Sequence, residues 1–122
     1  MKYGKELIID LHDCDVSTFT RKSIRSYCIQ LCRLIKMKRE DLHFWDDHNV
    51  PEKYKQTSEH TSGISAVQFI LTSNITIHTL NLLSNAYINI FSCKDFNSDE
   101  ALEFTKEWFK GTVKQSKTVS RL

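Results

Sequence analysis

The stretch from residue 63 to residue 93, GISAVQFILTSNITIHTLNLLSNAYINIFSC, decides the fold of this 122-residue chain. It contains three short apolar segments: Ile64 to Leu71, an alternating segment from Ile75 to His78, and Ala86 to Cys93. Each segment has the length and aliphatic content of a β-strand. Because the connections between them are short, the pattern predicts antiparallel pairing rather than parallel strands joined by helices.

The segments on either side of this stretch complete a two-layer architecture. Upstream, the sequence predicts a strand over residues 6–11, a helix over 21–37 and a short strand over 42–45. Downstream, a helix is expected with Ser98 as its N-cap and Gly111 as its stop signal, followed by an edge strand over 112–119. Both helices carry a single apolar face. The sequence therefore predicts an α+β two-layer sandwich, in which two helices pack on one face of an antiparallel β-sheet.

Length and composition limit the class of protein. With 122 residues the chain can build one core but not a second domain. Its net charge of +2, with scattered basic residues, is not the footprint of a nucleic-acid-binding protein. The sequence has no apolar segment of signal-peptide or membrane-spanning length. We therefore expect a cytoplasmic protein that binds neither nucleic acid nor a membrane.

The cysteines and most histidines do not form a metal-binding pattern. Cys28 and Cys32 are four residues apart on the predicted helix, so they share a face. No other Cys or His pair has a matching spacing, and we interpret both as small apolar side chains against the core. We predict no metal site, and surface or loop positions for four histidines: His12, His43, His48 and His60.

A long polar segment separates the first strand-and-helix region from the central stretch. Residues 46–62 contain the only proline of the chain, Pro51. Loops of this length are unusual in so small a domain and are often functional or mobile. We interpret Asp46 and Asp47 at the start of the loop as a solvated pair.

The central stretch contains side chains suited to self-processing. Ser73 can attack the carbonyl carbon before it, which converts the peptide bond into an ester at its own oxygen. Loss of its Cα proton then expels the upstream chain, and the remaining dehydroalanine hydrolyses to a pyruvoyl group. His78 supplies a base and Ser65 a hydrogen-bond donor for the tetrahedral intermediate. The thiol of Cys93 can return a proton to a carbanion.

A pyruvoyl carbonyl would give the protein an electron sink. It forms a Schiff base with a substrate amine and thereby supports decarboxylation. Ser73 and His78 are five residues apart, so on a regular strand they point to opposite faces. The site therefore requires a turn or bulge near Ser73-Asn74. The alternative interpretation is structural, with Ser73 as a turn residue, His78 as a core or edge histidine and Cys93 as a small buried side chain.

Four segments carry a resemblance that extends over nearly the whole chain: Gly4 to Asp15, Ser62 to Val67, Ser73 to Thr79, and Phe91 to Cys93. Together they resemble the short prokaryotic S-adenosylmethionine decarboxylases. The resemblance implies a proenzyme cut between Thr72 and Ser73, with a pyruvoyl cofactor derived from Ser73. It also implies processing roles for His78 and Ser65, Cys93 as catalytic proton donor, a homodimer, and a place in spermidine biosynthesis.

The chain departs from that family pattern near the cleavage site and in the expected substrate pocket. Thr72 replaces the usual glutamate before the cleaved serine, and Asn74 replaces the histidine after it. The family's Trp-Pro-Glu run after the His-Thr pair is Leu80-Asn81-Leu82 here. A leucine cannot accept hydrogen bonds from a ribose diol, and losing such bonds costs on the order of a few kcal/mol.

Three hypotheses about function follow. The first is a pyruvoyl-dependent decarboxylase acting on S-adenosylmethionine. The second is the same chemistry on another amine, such as arginine or ornithine, in a pocket rebuilt by Leu80, Leu82 and the loop of residues 46–62. The third is an uncleaved homologue that acts as a binding or regulatory subunit.

Overall fold

The computed structural model describes residues 2–122 as a six-stranded antiparallel sheet covered on one face by two helices. The strand order across the sheet is β2-β3-β4-β5-β1-β6. The predicted α+β two-layer sandwich is confirmed. The strands are β1 (Gly4–His12), β2 (Arg39–Trp45), β3 (Gly63–Ile70), β4 (Ser73–Leu80), β5 (Asn85–Ser92) and β6 (Thr112–Arg121), and the helices are α1 (Arg21–Leu34) and α2 (Ser98–Phe109).

The strands β3, β4 and β5 form a continuous meander, because short turns join strands of equal length. Ile70 pairs with Ser73 across the first turn, so only Leu71 and Thr72 connect β3 to β4. The register then continues without a shift on both sides of β4. The chain does turn near Ser73-Asn74, at Leu71 and Thr72, but the turn precedes Ser73 and no bulge follows it. Ser73 and His78 therefore lie on one regular strand and point to opposite faces.

Helix boundaries differ from the prediction by one to three residues for local reasons. The side chain of Thr20 accepts a hydrogen bond from Ser23 N and caps α1. The helix ends at Leu34, before Lys36 adopts a left-handed backbone with φ 59°. The cap of α2 is Asn97, whose Oδ1 accepts from Glu100 N at 3.0 Å, and Ser98 is the first helical residue.

Gly111 follows α2 because it has no Cβ, and not because it has a positive φ. Lys110 adopts the left-handed conformation that ends the helix, with φ 53°. A Cβ at Gly111 would lie 2.7 Å from the sulfur of Cys14 and 3.1 Å from the carbonyl oxygen of His12, so a larger residue would require the Cys14 side chain to move.

The core lies between the sheet and the two helices. Ile75 and Ile77 of β4 are fully buried on this side, as are Cys28 and almost all of Cys32 on α1. Burial raises the pKa of Cys28 to about 12 and that of Cys32 to about 11, so both remain neutral thiols. Their interpretation as core side chains is confirmed. Neither helix in residues 2–122 is long and apolar enough to cross a membrane.

The opposite face of the sheet carries no helix. Strand alternation places a mixed set of polar and apolar side chains there, most of them partly exposed. We call this surface the open face, and its central members are Glu6, Ile8, Asp10, Ser65, Val67, Phe69, Asn74, Thr76, His78, Tyr87, Asn89 and Phe91.

Candidate active site

The hydroxyl of Ser73 is held by Cys93 at one end of the sheet. Ser73 is the first residue of β4 and is 6% exposed. The backbone N–H of Cys93, just beyond the end of β5, donates to Ser73 Oγ at 3.0 Å. Ser73 Oγ in turn donates to Cys93 Sγ at 3.6 Å. The structure thus brings together the predicted nucleophile and the predicted proton donor, and we call them the Ser73–Cys93 pair.

Thr72 also contacts this pair. Its Oγ1 lies 3.1 Å from Cys93 Sγ and 2.8 Å from the carbonyl oxygen of Leu71, so one hydroxyl proton faces both acceptors. Hydrogen bonds to the sulfur from Thr72 first, then Ser73, with a smaller contribution from Tyr3, hold the pKa of the Cys93 thiol below its usual value. The sulfur therefore lies in a polar setting that favours its thiolate more than bulk water does.

Ser65 and His78 form a second pair. They lie directly opposite each other on β3 and β4, and Ser65 Oγ is 2.7 Å from His78 Nδ1. Both side chains belong to the open face, and His78 is exposed. A hydrogen bond on Nδ1 fixes the orientation of the imidazole and leaves Nε2 free to face outward. We call these residues the Ser65–His78 pair.

The two pairs are separated within one chain. Because β4 is regular, the five residues from Ser73 to His78 span about 16 Å at 3.3 Å per residue. The Ser73 side chain points toward the helices, whereas the His78 side chain lies on the open face. The four predicted site residues therefore form two separate pairs, one near each end of β4.

A cavity of about 410 Å³ adjoins the Ser65–His78 pair. The long loop forms its outer wall, so the loop lies beside a candidate site. Leu80 lines the cavity as expected, whereas Leu82 lies in the β4–β5 turn with 63% of its surface exposed. Other lining residues are Trp45, Asp46, Asp47, Gln56, His60, Thr61, Gly63, Ile64 and Thr79.

The two aspartates of this cavity differ in their surroundings. The guanidinium of Arg21 donates to both oxygens of Asp46, at 2.6 and 2.7 Å, and holds the pKa of that carboxyl below its usual value. The Asp46 side chain is only 7% exposed, so its interpretation as a solvated residue is wrong. Asp47 accepts from the backbone N–H of Gln56 through Oδ2 and is not paired with a cation in the described residues 2–122.

Sequence reasoning missed three features of the site. It did not identify the contact of Thr72 with Cys93, the exposure of Trp45 beside the cavity, or the proximity of Tyr3 to the thiol. Only Thr72 could have been noticed in the sequence, because a β-branched residue is unusual in a tight turn. The other two depend on the strand order.

Comparison with known proteins agrees with this fold. Residues 5–122 match the family model described as S-adenosylmethionine decarboxylase. The crystal structure of the adenosylmethionine decarboxylase from Aquifex aeolicus VF5 is similar with a TM-score of 0.77 at 15% identity, over 98% of this chain and 91% of that chain. A search of the curated proteins finds no match. Since the family model covers almost every residue, this chain belongs to the S-adenosylmethionine decarboxylase family.

Proposed function

We propose that this protein is a pyruvoyl-dependent decarboxylase that cleaves itself between Thr72 and Ser73 and acts on S-adenosylmethionine in spermidine biosynthesis. The observation that carries this proposal is the Ser73–Cys93 pair. A serine hydroxyl at the start of a strand is held by a backbone N–H beside a thiol of lowered pKa. Membership of the family supports decarboxylation and polyamine biosynthesis.

Cleavage uses the chain's own atoms. Ser73 Oγ bonds to the carbonyl carbon of Thr72, the C–N bond of that peptide breaks, and the hydroxyl proton passes to the nitrogen. A base then takes the Cα proton of Ser73, and the Thr72 carboxylate leaves. Water hydrolyses the dehydroalanine to a pyruvoyl group and ammonia. The N–H of Cys93 holds the attacking oxygen in place through the first step.

The surroundings of Ser73 fit a pyruvoyl group. The residue lies at the end of a strand, where a new chain terminus can form without breaking the ladder inside the sheet. The group supplies a ketone carbonyl that condenses with an amine and accepts electrons as carbon dioxide departs. Cys93 Sγ, already within reach of the Ser73 side chain, would return a proton to the substrate carbon.

The base comes from a second copy of the chain in this proposal. The Ser73 side chain points toward the helices, so its Cα–H bond leans toward the open face. His78 of the same chain lies about 16 Å away along β4. Two open faces stacked about a two-fold axis perpendicular to the strands would set His78 of one protomer near Ser73 of its partner. We therefore propose a homodimer with two shared sites.

A second substrate class has support from the cavity. In the stacked dimer, the cavity beside His78 lies next to the partner's reaction centre. It offers the carboxylate of Asp47 and the 85%-exposed ring of Trp45, both of which attract cations. Leu80 offers nothing to a ribose. Because the sulfonium of S-adenosylmethionine is also a cation, Leu80 is the feature that favours arginine or ornithine as the alternative substrate.

Intact-mass measurement tests the cleavage. We expect two fragments, residues 1–72 and 73–122, with the second blocked by a pyruvoyl group. Ser73→Ala should remain one chain. A wild-type chain that stays uncut on long incubation would contradict the decarboxylase hypothesis for either substrate. It would support the hypothesis of an uncleaved regulatory subunit.

Release of labelled carbon dioxide then identifies the substrate. S-adenosylmethionine, arginine and ornithine are compared on the cleaved protein, with Ser73→Ala as the blank. Turnover of S-adenosylmethionine alone supports the first substrate. Turnover of arginine or ornithine alone supports the second, and Asp47→Asn should then raise KM about tenfold, because one charge-assisted hydrogen bond is lost.

A further inference from the structure

The geometry points to Thr72 as a strained positioning residue that speeds the breakage of its own C-terminal peptide bond. This inference rests on the proposed cleavage between Thr72 and Ser73. It concerns the backbone conformation of the turn, which plays no part in the roles proposed for Ser73 and Cys93.

The backbone of Thr72 is in an unfavourable region. Its φ is 51°, within the left-handed region that side chains with a branched Cβ rarely adopt. Leu71, its partner in the two-residue turn, has no positive φ. A positive φ at only the second central residue is characteristic of type II turns, in which that residue is usually glycine or asparagine. Thr72 therefore occupies a position for which its residue type is poorly suited.

Surrounding contacts hold Thr72 in this conformation. The two strands that the turn joins, β3 and β4, pair without interruption from Ile70 and Ser73 onward. The Thr72 hydroxyl is fixed by the carbonyl of Leu71 and the sulfur of Cys93. The next residue, Ser73, is held by the N–H of Cys93. Such over-determination is the condition under which a strained residue persists at a functional site.

Cleavage offers a way to release this strain. The peptide bond between Thr72 and Ser73 is planar while it is an amide. When Ser73 Oγ adds to the Thr72 carbonyl carbon, the C–N bond becomes single and the turn can rotate. Strain that is present in the uncut turn and relieved on the way to the ester lowers the barrier between them.

Ser84 supplies a matched control. It lies in the β4–β5 turn and also has a left-handed backbone, with φ 57°. No bond is proposed to break beside it. Ser84→Gly therefore removes similar backbone strain at a position where strain has no effect on cleavage.

The test follows cleavage in time after cell-free synthesis, with the uncut chain and residues 1–72 separated by mass. Thr72→Gly should slow cleavage about 5- to 30-fold, the factor that corresponds to the cost of a left-handed backbone. Thr72→Asn should also slow it, because asparagine tolerates this conformation. Thr72→Val keeps the branched Cβ and loses the hydroxyl, and it should keep most of the rate, because the strand pairing and the Cys93–Ser73 hydrogen bond still hold the turn. Ser84→Gly should cut at the wild-type rate.

Stability provides the second readout. In the uncut Ser73→Ala background, Thr72→Asn should raise the melting temperature, because the strain is gone from a chain that cannot cleave. Cleavage of Thr72→Gly at the wild-type rate would overturn the inference while leaving the proposed function intact. So would a Thr72→Val chain as slow as Thr72→Gly, since the hydroxyl would then be the cause. A wild-type chain that never cuts would overturn both.

Discussion

The two ends of β4 differ in what they offer to a reaction. At the turn end, Ser73 is nearly buried and is held by the N–H and sulfur of Cys93. At the other end, His78 is exposed, is oriented by Ser65, and borders a cavity. The first end has a serine hydroxyl and a thiol but no imidazole. The second end has an imidazole but no thiol.

In the proposed mechanism, each end supplies half of the site. Proximity in sequence places Ser73 and His78 on one strand, and the regularity of that strand then keeps them about 16 Å apart. A rigid β-strand cannot fold back to join them, because Ile75 and Ile77 between them are locked in the core. In the proposed homodimer, two antiparallel copies solve the problem, because each places its second end over the partner's first end.

Breaking the contact between the copies should have the largest effect. Val67 lies in the middle of the open face, opposite Thr76. Val67→Arg would place two like charges near a two-fold axis, and we expect monomers that remain uncut. Sedimentation measures the oligomeric state and intact mass measures cleavage. Glu103→Lys, on the exposed side of α2, is the control and should stay dimeric. A cut Val67→Arg monomer would contradict the shared site.

Removing the thiol should separate the two tasks of the turn end. Cys93→Ala keeps the backbone N–H that holds Ser73 but loses the sulfur. We expect the chain to be cut, while decarboxylation falls about 10²- to 10⁴-fold, the usual worth of a positioned proton donor. Intact mass and carbon dioxide release are measured on the same preparation. Full turnover by this variant would exclude Cys93 as the donor.

Removing the orienting hydroxyl should weaken the second end. Ser65→Ala deletes the hydrogen bond to His78 Nδ1 and leaves the imidazole in place. We expect cleavage to slow about tenfold, the equivalent of one lost hydrogen bond. The time course of fragment appearance measures the effect. An unchanged rate would show that His78 is oriented by other means.

The pH dependence of the Cys93 thiol should give the smallest effect. The hydrogen bond from Thr72 is the largest cause of its lowered pKa. In the uncut Ser73→Ala chain, adding Thr72→Val should raise that pKa, so the rate of alkylation by iodoacetamide reaches its midpoint at a higher pH. The thiolate is the reactive form. A midpoint that does not move would mean that Thr72 does not act on the sulfur.

The sheet was predictable because alternating aliphatic residues face a core. The aliphatic pattern of residues 64–71, 75–78 and 86–93 determines three strands without knowledge of their neighbours. The choice between Asn97 and Ser98 as helix cap was not predictable, because both residue types cap well and only the backbone angles decide. The positive φ of Thr72 follows from a two-residue turn, whose length depends on the pairing of Ile70 with Ser73.

The sequence suggested candidate site residues but not their arrangement. Ser73, Cys93, Ser65 and His78 were chosen as candidates by their chemistry and by resemblance, and their roles stay a prediction. Their division into two pairs depends on the strand register, which places Ser65 opposite His78 and Cys93 beside Ser73. The ion pair of Asp46 with Arg21 joins residues 25 positions apart, so the sequence of the loop alone gives no sign of it.

Complementation between two inactive chains tests the shared site most directly. His78→Ala retains its own Ser73 but lacks the base, and Ser73→Ala retains His78 but cannot be cut. When the two are synthesised together, a mixed dimer contains one complete site, with Ser73 from the first chain and His78 from the second. We predict that the His78→Ala chain, uncut when alone, is cut when mixed. A His78→Ala chain that stays uncut in demonstrated mixed dimers would contradict the account.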